Sequence, residues 1–202
     1  AVGRAYADVG MRAVVAPMVA DRSLYEAIPG LLDVLTPAPR EEVARQQPAA
    51  WPASIAGMRA ALAGWSRGRE QVGLAVAPTI PHHCSDEFIR ACADLAKEHG
   101  VGLHSHVAES KVQAIVGLQR YGKTLTAHLD DLGVVGPHFT VAHGVWLDTD
   151  DMKRLGDRGA SVAHNPGSNM RLGNGLADMR GMLERRVNAG IGADGANGSD
   201  KL

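Results

Sequence analysis

The sequence predicts an α/β protein built on a parallel sheet. Three observations lead there: short apolar runs rich in β-branched residues recur along the chain, each is followed by a segment with helical spacing, and the runs stay apolar instead of alternating. Strands covered on both faces have that character. The 202 residues carry 45% hydrophobic content, ample for a core, and no low-complexity tract or composition break divides them. One domain over 1–202 is expected.

After a short helical remnant, MRAVVAPMV (11–19) is expected to form a strand buried on both faces. Pro29, Pro37, Pro39, Pro48 and Pro52 rule out one uninterrupted helix over 29–52 and favour short helices separated by turns; helical spacing then runs from Ser54 to Trp65. VGLAVAPTI (72–80) is a second strand. SDEFIRACADLAKEHG (85–100) is a helix with Ser85 as N-cap, acids in its first turn and Gly100 as its stop. LHSHVAES (103–110) begins as a strand, and residues 111–133 are helical. HFTVAHGVWL (138–147) is a strand, and 148–159 a helix opened by Asp148 or Thr149. ASVAHNP (160–166) is a strand, ADMRGMLERRVNAG (177–190) is helical, and IGADG (191–195) closes the series as a short strand.

This pattern holds about six strand and helix pairs, where a complete (β/α)8 barrel has eight in ~250 residues. The chain starts at Ala and stops at GSDKL just after a strand, so it is expected to be an internal piece of a longer protein, incomplete at both ends. A doubly wound open sheet is the competing architecture.

Charge narrows the partners. Lys+Arg 21 against Asp+Glu 22 gives a net charge of −1, spread evenly, which argues against nucleic acid and anionic membrane surfaces and leaves a small neutral molecule as the easier partner. Cys84 and Cys92 form neither a disulfide framework nor a C-x-x-C pair, which suits a reducing compartment. No apolar run approaches the ~20 residues that span a bilayer, and the N-terminus lacks a signal-peptide core. A cytoplasmic location is expected.

The chemistry gathers at strand ends, where parallel α/β folds place reacting groups. Successive predicted strands end in His106 with Glu109, in His143, in His164 with Asn165, and in Asp194. His104 and His106 share a face because strand side chains alternate. A lone histidine at a strand end is more often a hydrogen-bonded structural residue than a ligand, Asp194 alone could be an Asp-Gly turn, and Glu109 alone a helix-start acid. Four such strand ends side by side converge on one pocket. A hydrolytic zinc site needs nitrogen and carboxylate ligands, a place for a water whose pKa falls toward ~7, and a nearby carboxylate to carry protons. Glu109, on the turn beyond His106, suits the last task.

Other residues carry smaller expectations. His82, His83 and Cys84 follow the second predicted strand, and His83 is a candidate substrate contact, though a polar loop before a helix cap reads as well. Cys84 has no sign of activation. His104 suits a barrel-lining role, and His99, His128 and His138 are expected to be solvated. Trp51, Trp65 and Trp146 are expected to anchor core or interface, with Trp146 close enough to His143 to border the pocket.

These residues resemble the amidohydrolase superfamily, in particular its guanine deaminase, S-adenosylhomocysteine deaminase and triazine chlorohydrolase branch. LHSHVAES, TVAHGVWLD, SVAHNPGSNMRLGNGLADM and GIGADGANGSD carry the likeness, in order. The third, His-Asn-Pro-x-Ser-Asn followed by Leu-Gly and Gly, is the most specific. The resemblance implies a partial (β/α)8 TIM barrel, approximately strands 3 to 8, with one divalent metal ion, usually zinc. It implies His106 as a metal ligand and Glu109 as general acid/base. Asp194 becomes a metal ligand and proton acceptor, and His143 the group that polarises the bond under attack, although binuclear relatives bind metal at this position. His164 and Asn165 would line or brace the substrate pocket.

The implied activity is hydrolysis of a C–N bond in an amino-substituted N-heterocycle such as a purine, pyrimidine or triazine, by a homodimer. Iron or manganese would also suit His and Asp ligands. The family's first-strand His-x-His pair is missing before residue 72. A catalytically silent fragment with only a binding or assembly role is therefore the alternative, and an exposed apolar edge is expected. The nucleobase deaminases built on H-x-E with P-C-x-x-C are set aside because neither cysteine has that spacing, and a dinucleotide binder because no G-x-G-x-x-G follows a strand.

Overall fold

The computed structural model describes residues 2–45, 48, 50–66, 68 and 70–195. The elements run α1 (Val2–Asp8), β1 (Ala13–Val15), β2 (Met18–Val19), α2 (Leu24–Ala27), α3 (Pro37–Arg45), α4 (Trp51–Ala63), β3 (Val72–Leu74) and β4 (Ala77–Pro78). A 3-10 turn (Pro81–His83) leads into α5 (Asp86–His99), β5 (Leu103–Val107), α6 (Lys111–Tyr121), α7 (Leu125–Asp131) and β6 (Phe139–His143). The chain then forms α8 (Thr149–Arg158), β7 (Ser161–His164), α9 (Pro166–Arg171), α10 (Met179–Glu184) and β8 (Asn188–Ile191).

Every strand pairing among the described residues is parallel. β1 and β2 lie in turn against β3 and β4, a Val76–Leu103 bridge joins that pair to β5, and β5-β6-β7-β8 follow side by side. The spatial order therefore repeats the chain order. A doubly wound sheet reverses direction at a switch point; this one never does, which is the winding of a barrel wall.

Local chemistry sets the helix ends. The Ser85 hydroxyl accepts from Phe88 N, and Gly100 stops α5 at φ 60°. Asp148, not Thr149, caps α8 through a reciprocal box with Asp151. The helices pack on the outer face, where Phe88, Ile89, Leu95, Leu103, Val107, Leu125, Phe139, Val141, Leu155, Val162 and Met182 are buried.

Several expectations are corrected. The run 11–19 breaks into β1 and β2, because Pro17 between them has no N–H for a ladder, and it is not covered on both faces: Val14 is 68% and Met18 66% exposed. That is the apolar edge foreseen. The run 72–80 likewise splits into β3 and β4, and the predicted helix 111–133 divides at Gly122 into α6 and α7. α4 starts at Trp51 rather than Ser54, since Pro52 fits a helix's first turn. The segment 177–190 is not helical to its end: α10 stops at Glu184 and Asn188–Ile191 is already strand. His128 is buried, not solvated; its ring stacks on Tyr121 at 3.6 Å and meets Asp86 Oδ1 at 2.9 Å.

Candidate functional site

Register builds the site's floor. On the inner face of the sheet His104, Thr140, Ser161 and Asn188 form one row across the strands, and His106, Ala142, Ala163 and Gly190 the row above it. The upper row is small everywhere except at His106. The imidazole therefore stands over open floor at the strands' C-terminal edge. A separate cavity of about 390 Å³ lies at the opposite edge, among Lys97, Val135 and His138.

His106 is held through Nδ1, which lies 2.6 Å from the Thr79 carbonyl. A carbonyl only accepts, so Nδ1 carries the proton and Nε2 keeps a free lone pair. The His143 ring stacks beside it, with centroids 5.4 Å apart and planes 27° from parallel. His143 is 1% exposed; its Nδ1 is 2.8 Å from Asn169 Oδ1, and its Nε2 faces Glu109 Oε2 at 3.7 Å. The other Glu109 oxygen, Oε1, accepts from Asn174 Nδ2 at 3.1 Å, and its backbone N–H donates to Gln113 at 3.0 Å.

Asp194 accepts from Ser168 Oγ at 2.6 Å and from Gly195 N at 2.8 Å. Burial pushes its carboxyl upward, but the Ser168 hydroxyl, the Gly195 N–H and the charges of His143 and His106 together hold it below the usual range. Ser168, next to Asn169 in α9, ties this carboxylate to the helix that also holds His143. Four non-glycine residues among the described ones have positive φ, and three of them are here: Ala108 (50°), next to Glu109, His143 (74°) and Asp194 (62°). Left-handed backbone is costly for residues with a Cβ and concentrates at functional sites. At His143 it turns the side chain out of the regular strand alternation and toward His106.

His164 is buried behind this group, with Nδ1 3.4 Å from Asn169 Nδ2; burial, foremost, lowers its pKa. Asn165 is buried too, its Nδ2 3.5 Å from His143 Nδ1. Trp146 is 41% exposed at the rim: its indole donates to the Asn174 carbonyl at 2.9 Å, and the Lys111 ammonium lies 5.9 Å from its ring centre. His83 is half-buried, and burial, then Arg120 and His106, lower its pKa. His104 is likewise lowered, by burial first and then by His106 and His143. Burial raises the thiols of both Cys84 and Cys92, Cys84 to about 12, as expected of unactivated cysteines.

The structure thus brings His106, Glu109 and His143 together, with His164 and Asn165 beneath them and Trp146 at the rim, while Asp194 joins the group through Ser168 of α9. The sequence did not single out Ser168, Asn169 and Asn174. They lie inside the His-Asn-Pro-x-Ser-Asn stretch and its glycine loop, and that dense polar run after a strand was the signal available. For a metal the donor chemistry fits in part: His106 offers a correctly prepared Nε2 and Asp194 a braced carboxylate. Among the described residues no group of three or more His, Cys, Asp or Glu could hold a metal ion. No helix among them is long and apolar enough to cross a membrane.

A 5'-deoxyadenosine deaminase of Methanopyrus kandleri is 33% identical over 202 residues, 100% of this chain and 42% of that protein. Another from Methanosarcina mazei is 42% identical over 125 residues, 62% of this chain and 29% of the relative. A 5-methylthioadenosine/S-adenosylhomocysteine deaminase of Syntrophobacter fumaroxidans is 40% identical over 131 residues, 65% of this chain and 30% of the relative. The matched stretch therefore spans less than half the length of each of these relatives.

Among solved structures, a triazine hydrolase from Arthrobacter aurescens superposes with a TM-score of 0.81 at 21% identity, covering 98% of this chain and 41% of that one. A guanine deaminase from C. acetobutylicum gives 0.79 at 18%, covering 98% and 43%. These likenesses establish the fold as part of a (β/α)8 barrel. The amidohydrolase family model matches residues 1–202, and the chain belongs to that family.

Proposed function

We propose that these residues are the catalytic half of a metal-dependent aminohydrolase that removes the amino group of an N-heterocycle, most closely an adenosine-type purine nucleoside. The observation that carries the reading is the meeting of Glu109 Oε2 and His143 Nε2 at 3.7 Å beside the free Nε2 face of His106. The relatives, a 5'-deoxyadenosine deaminase and a 5-methylthioadenosine/S-adenosylhomocysteine deaminase among them, support an adenosine derivative as the substrate in this reading.

In this proposal His106 Nε2 and the Asp194 carboxylate would hold one divalent cation, zinc in the first instance, with iron or manganese compatible. When bound, such a cation lowers the pKa of a coordinated water toward ~7 and supplies a nucleophile at neutral pH. The chain's own groups do the rest. Asn174 anchors Glu109 through Oε1, leaving Oε2 free to carry a proton to the ring nitrogen and then to the departing amine. His143 stands against that oxygen and, on taking a proton from it at Nε2, steadies charge developing at the attacked carbon. Asp194, kept ionised by Ser168, accepts a proton from the attacking water. His164 and Asn165 brace the floor, while His83 and Trp146 border the substrate.

The test is ammonia release by the complete gene product over an adenosine-derivative, purine, pyrimidine and triazine panel, with and without chelator. Activity untouched by both chelation and Glu109→Gln refutes the mechanism. The absence of a three-residue ligand group among the described residues favours a second reading for the 202 residues alone: weak metal retention and no turnover. Stoichiometric metal after dialysis of that chain would overturn it.

A further inference from the structure

We infer that Asn169 is a positioning residue: a single buried amide that sets the tautomer of two imidazoles and so leaves Nε2 of His143 as the atom that exchanges a proton with Glu109. This rests on the aminohydrolase reading above for its catalytic consequence, but not for its structural content. Asn169 lies on α9 and is 0% exposed, so water cannot stand in for its partners. Its Oδ1 is 2.8 Å from His143 Nδ1, and its Nδ2 3.4 Å from His164 Nδ1.

An amide oxygen only accepts and an amide nitrogen only donates, so this arrangement requires Nδ1–H on His143 and a bare Nδ1 on His164. The Asn165 amide also approaches His143 Nδ1, at 3.5 Å, the limit of a hydrogen bond, and the 2.8 Å contact outranks it. With Nδ1–H committed to Asn169, the remaining lone pair of His143 sits on Nε2, on the side facing Glu109. Turned over, the same amide would put the proton on Nε2 and close that route. The neighbouring Ser168 holds Asp194, so α9 sets the groups at the ends of β6, β7 and β8 together.

Nitrogen-15 NMR of the imidazoles, recorded on the metal-free complete gene product, tests the assignment without any turnover. The expected result is protonated Nδ1 and bare Nε2 for neutral His143, lost or mixed in Asn169→Leu and retained in Asn169→Asp, whose carboxylate still accepts. In kinetics with metal restored, Asn169→Leu should lower kcat by about 100-fold, the scale of a lost acid–base group, with KM within about threefold, and Asn169→Asp should recover most of kcat. A wild-type His143 protonated on Nε2 overturns the proposal, and that arm needs no variant to fold. Equal kcat losses in both variants also overturn it. If the wild type shows the Nδ1–H tautomer but releases no ammonia, the aminohydrolase reading fails while the tautomer assignment stands.

Discussion

Ser168→Ala isolates one hydrogen bond on which the proposed metal site depends. Ser168 is 0% exposed and donates to Asp194 Oδ2 at 2.6 Å, and alanine removes the oxygen without adding bulk. A hydrogen bond to a charged group contributes about 1.5–3 kcal/mol. Asp194 is exposed and keeps the Gly195 N–H at 2.8 Å, so the lower figure applies after allowing for solvent screening. About 1.4 kcal/mol is a factor of ten. That is the low end of the 10–100-fold loss of metal affinity found when a ligand's outer partner is removed. The complete gene product carrying Ser168→Ala should bind zinc about tenfold more weakly in a chelator competition, with kcat at saturating zinc changed far less than the affinity. Zinc affinity unchanged within about twofold would show that Ser168 does not hold Asp194 for a cation.

Gly192→Ala should damage the same region by crowding. An added Cβ would lie 2.3 Å from Asn165 Oδ1, close to where β8 delivers Asp194, and overpacking of this kind costs about 1–3 kcal/mol; a thermal unfolding midpoint equal to wild type would contradict it. Cys84 and Cys92 should react with a thiol reagent at pH 8 only as fast as the protein opens, since burial raises both thiols; rapid labelling under native conditions would contradict their placement.

Burial, then the charges of His83 and Arg120, depress His82 to about 4 from 6.5, and its buried Nδ1 has no partner. A histidine lowered by folding contributes stability that is complete above its unfolded pKa and lost as pH falls through the folded value, so the window is about pH 6.5 to 4. His82→Leu should flatten unfolding free energy across that window, and denaturant titrations at pH 7, 5.5 and 4.5 check it. An equally steep fall in the variant would assign the acid limb elsewhere. Asp151, raised to about 6 by burial first, acts in the opposite sense, gaining as pH falls through 6, so the His82 effect is read as the difference between variant and wild type.

Much of this molecule is legible in the primary structure because its signals are local. Strand runs followed by capped helices, with Ser85 and Gly100 as clear stops, needed only hydrogen-bonding chemistry and spacing. His106, Glu109, His143 and Asp194 could be chosen because, with His164 between the last two, they stand at the ends of successive strands, a position the one-dimensional order already implies. What remained hidden depended on neighbours distant in sequence. Val14 and Met18 have the composition of a buried strand, and only the sheet reveals that one side of them has no cover. Asn188-Ala189-Gly190 carries no strong β signal, yet it joins the sheet because β7 offers it a ladder from Ser161 to His164.

The site divides along the same line. Residue types and their order along the chain raised the expectation of a site that binds a cation and moves a proton. Which nitrogen of each imidazole is available, which oxygen of Glu109 is free, and that Ser168, Asn169 and Asn174 hold them in place, were decided only by tertiary structure. The physical reason is that a hydrogen bond fixes orientation through a few tenths of an ångström and a donor's direction, and neither is encoded in any stretch of sequence by itself.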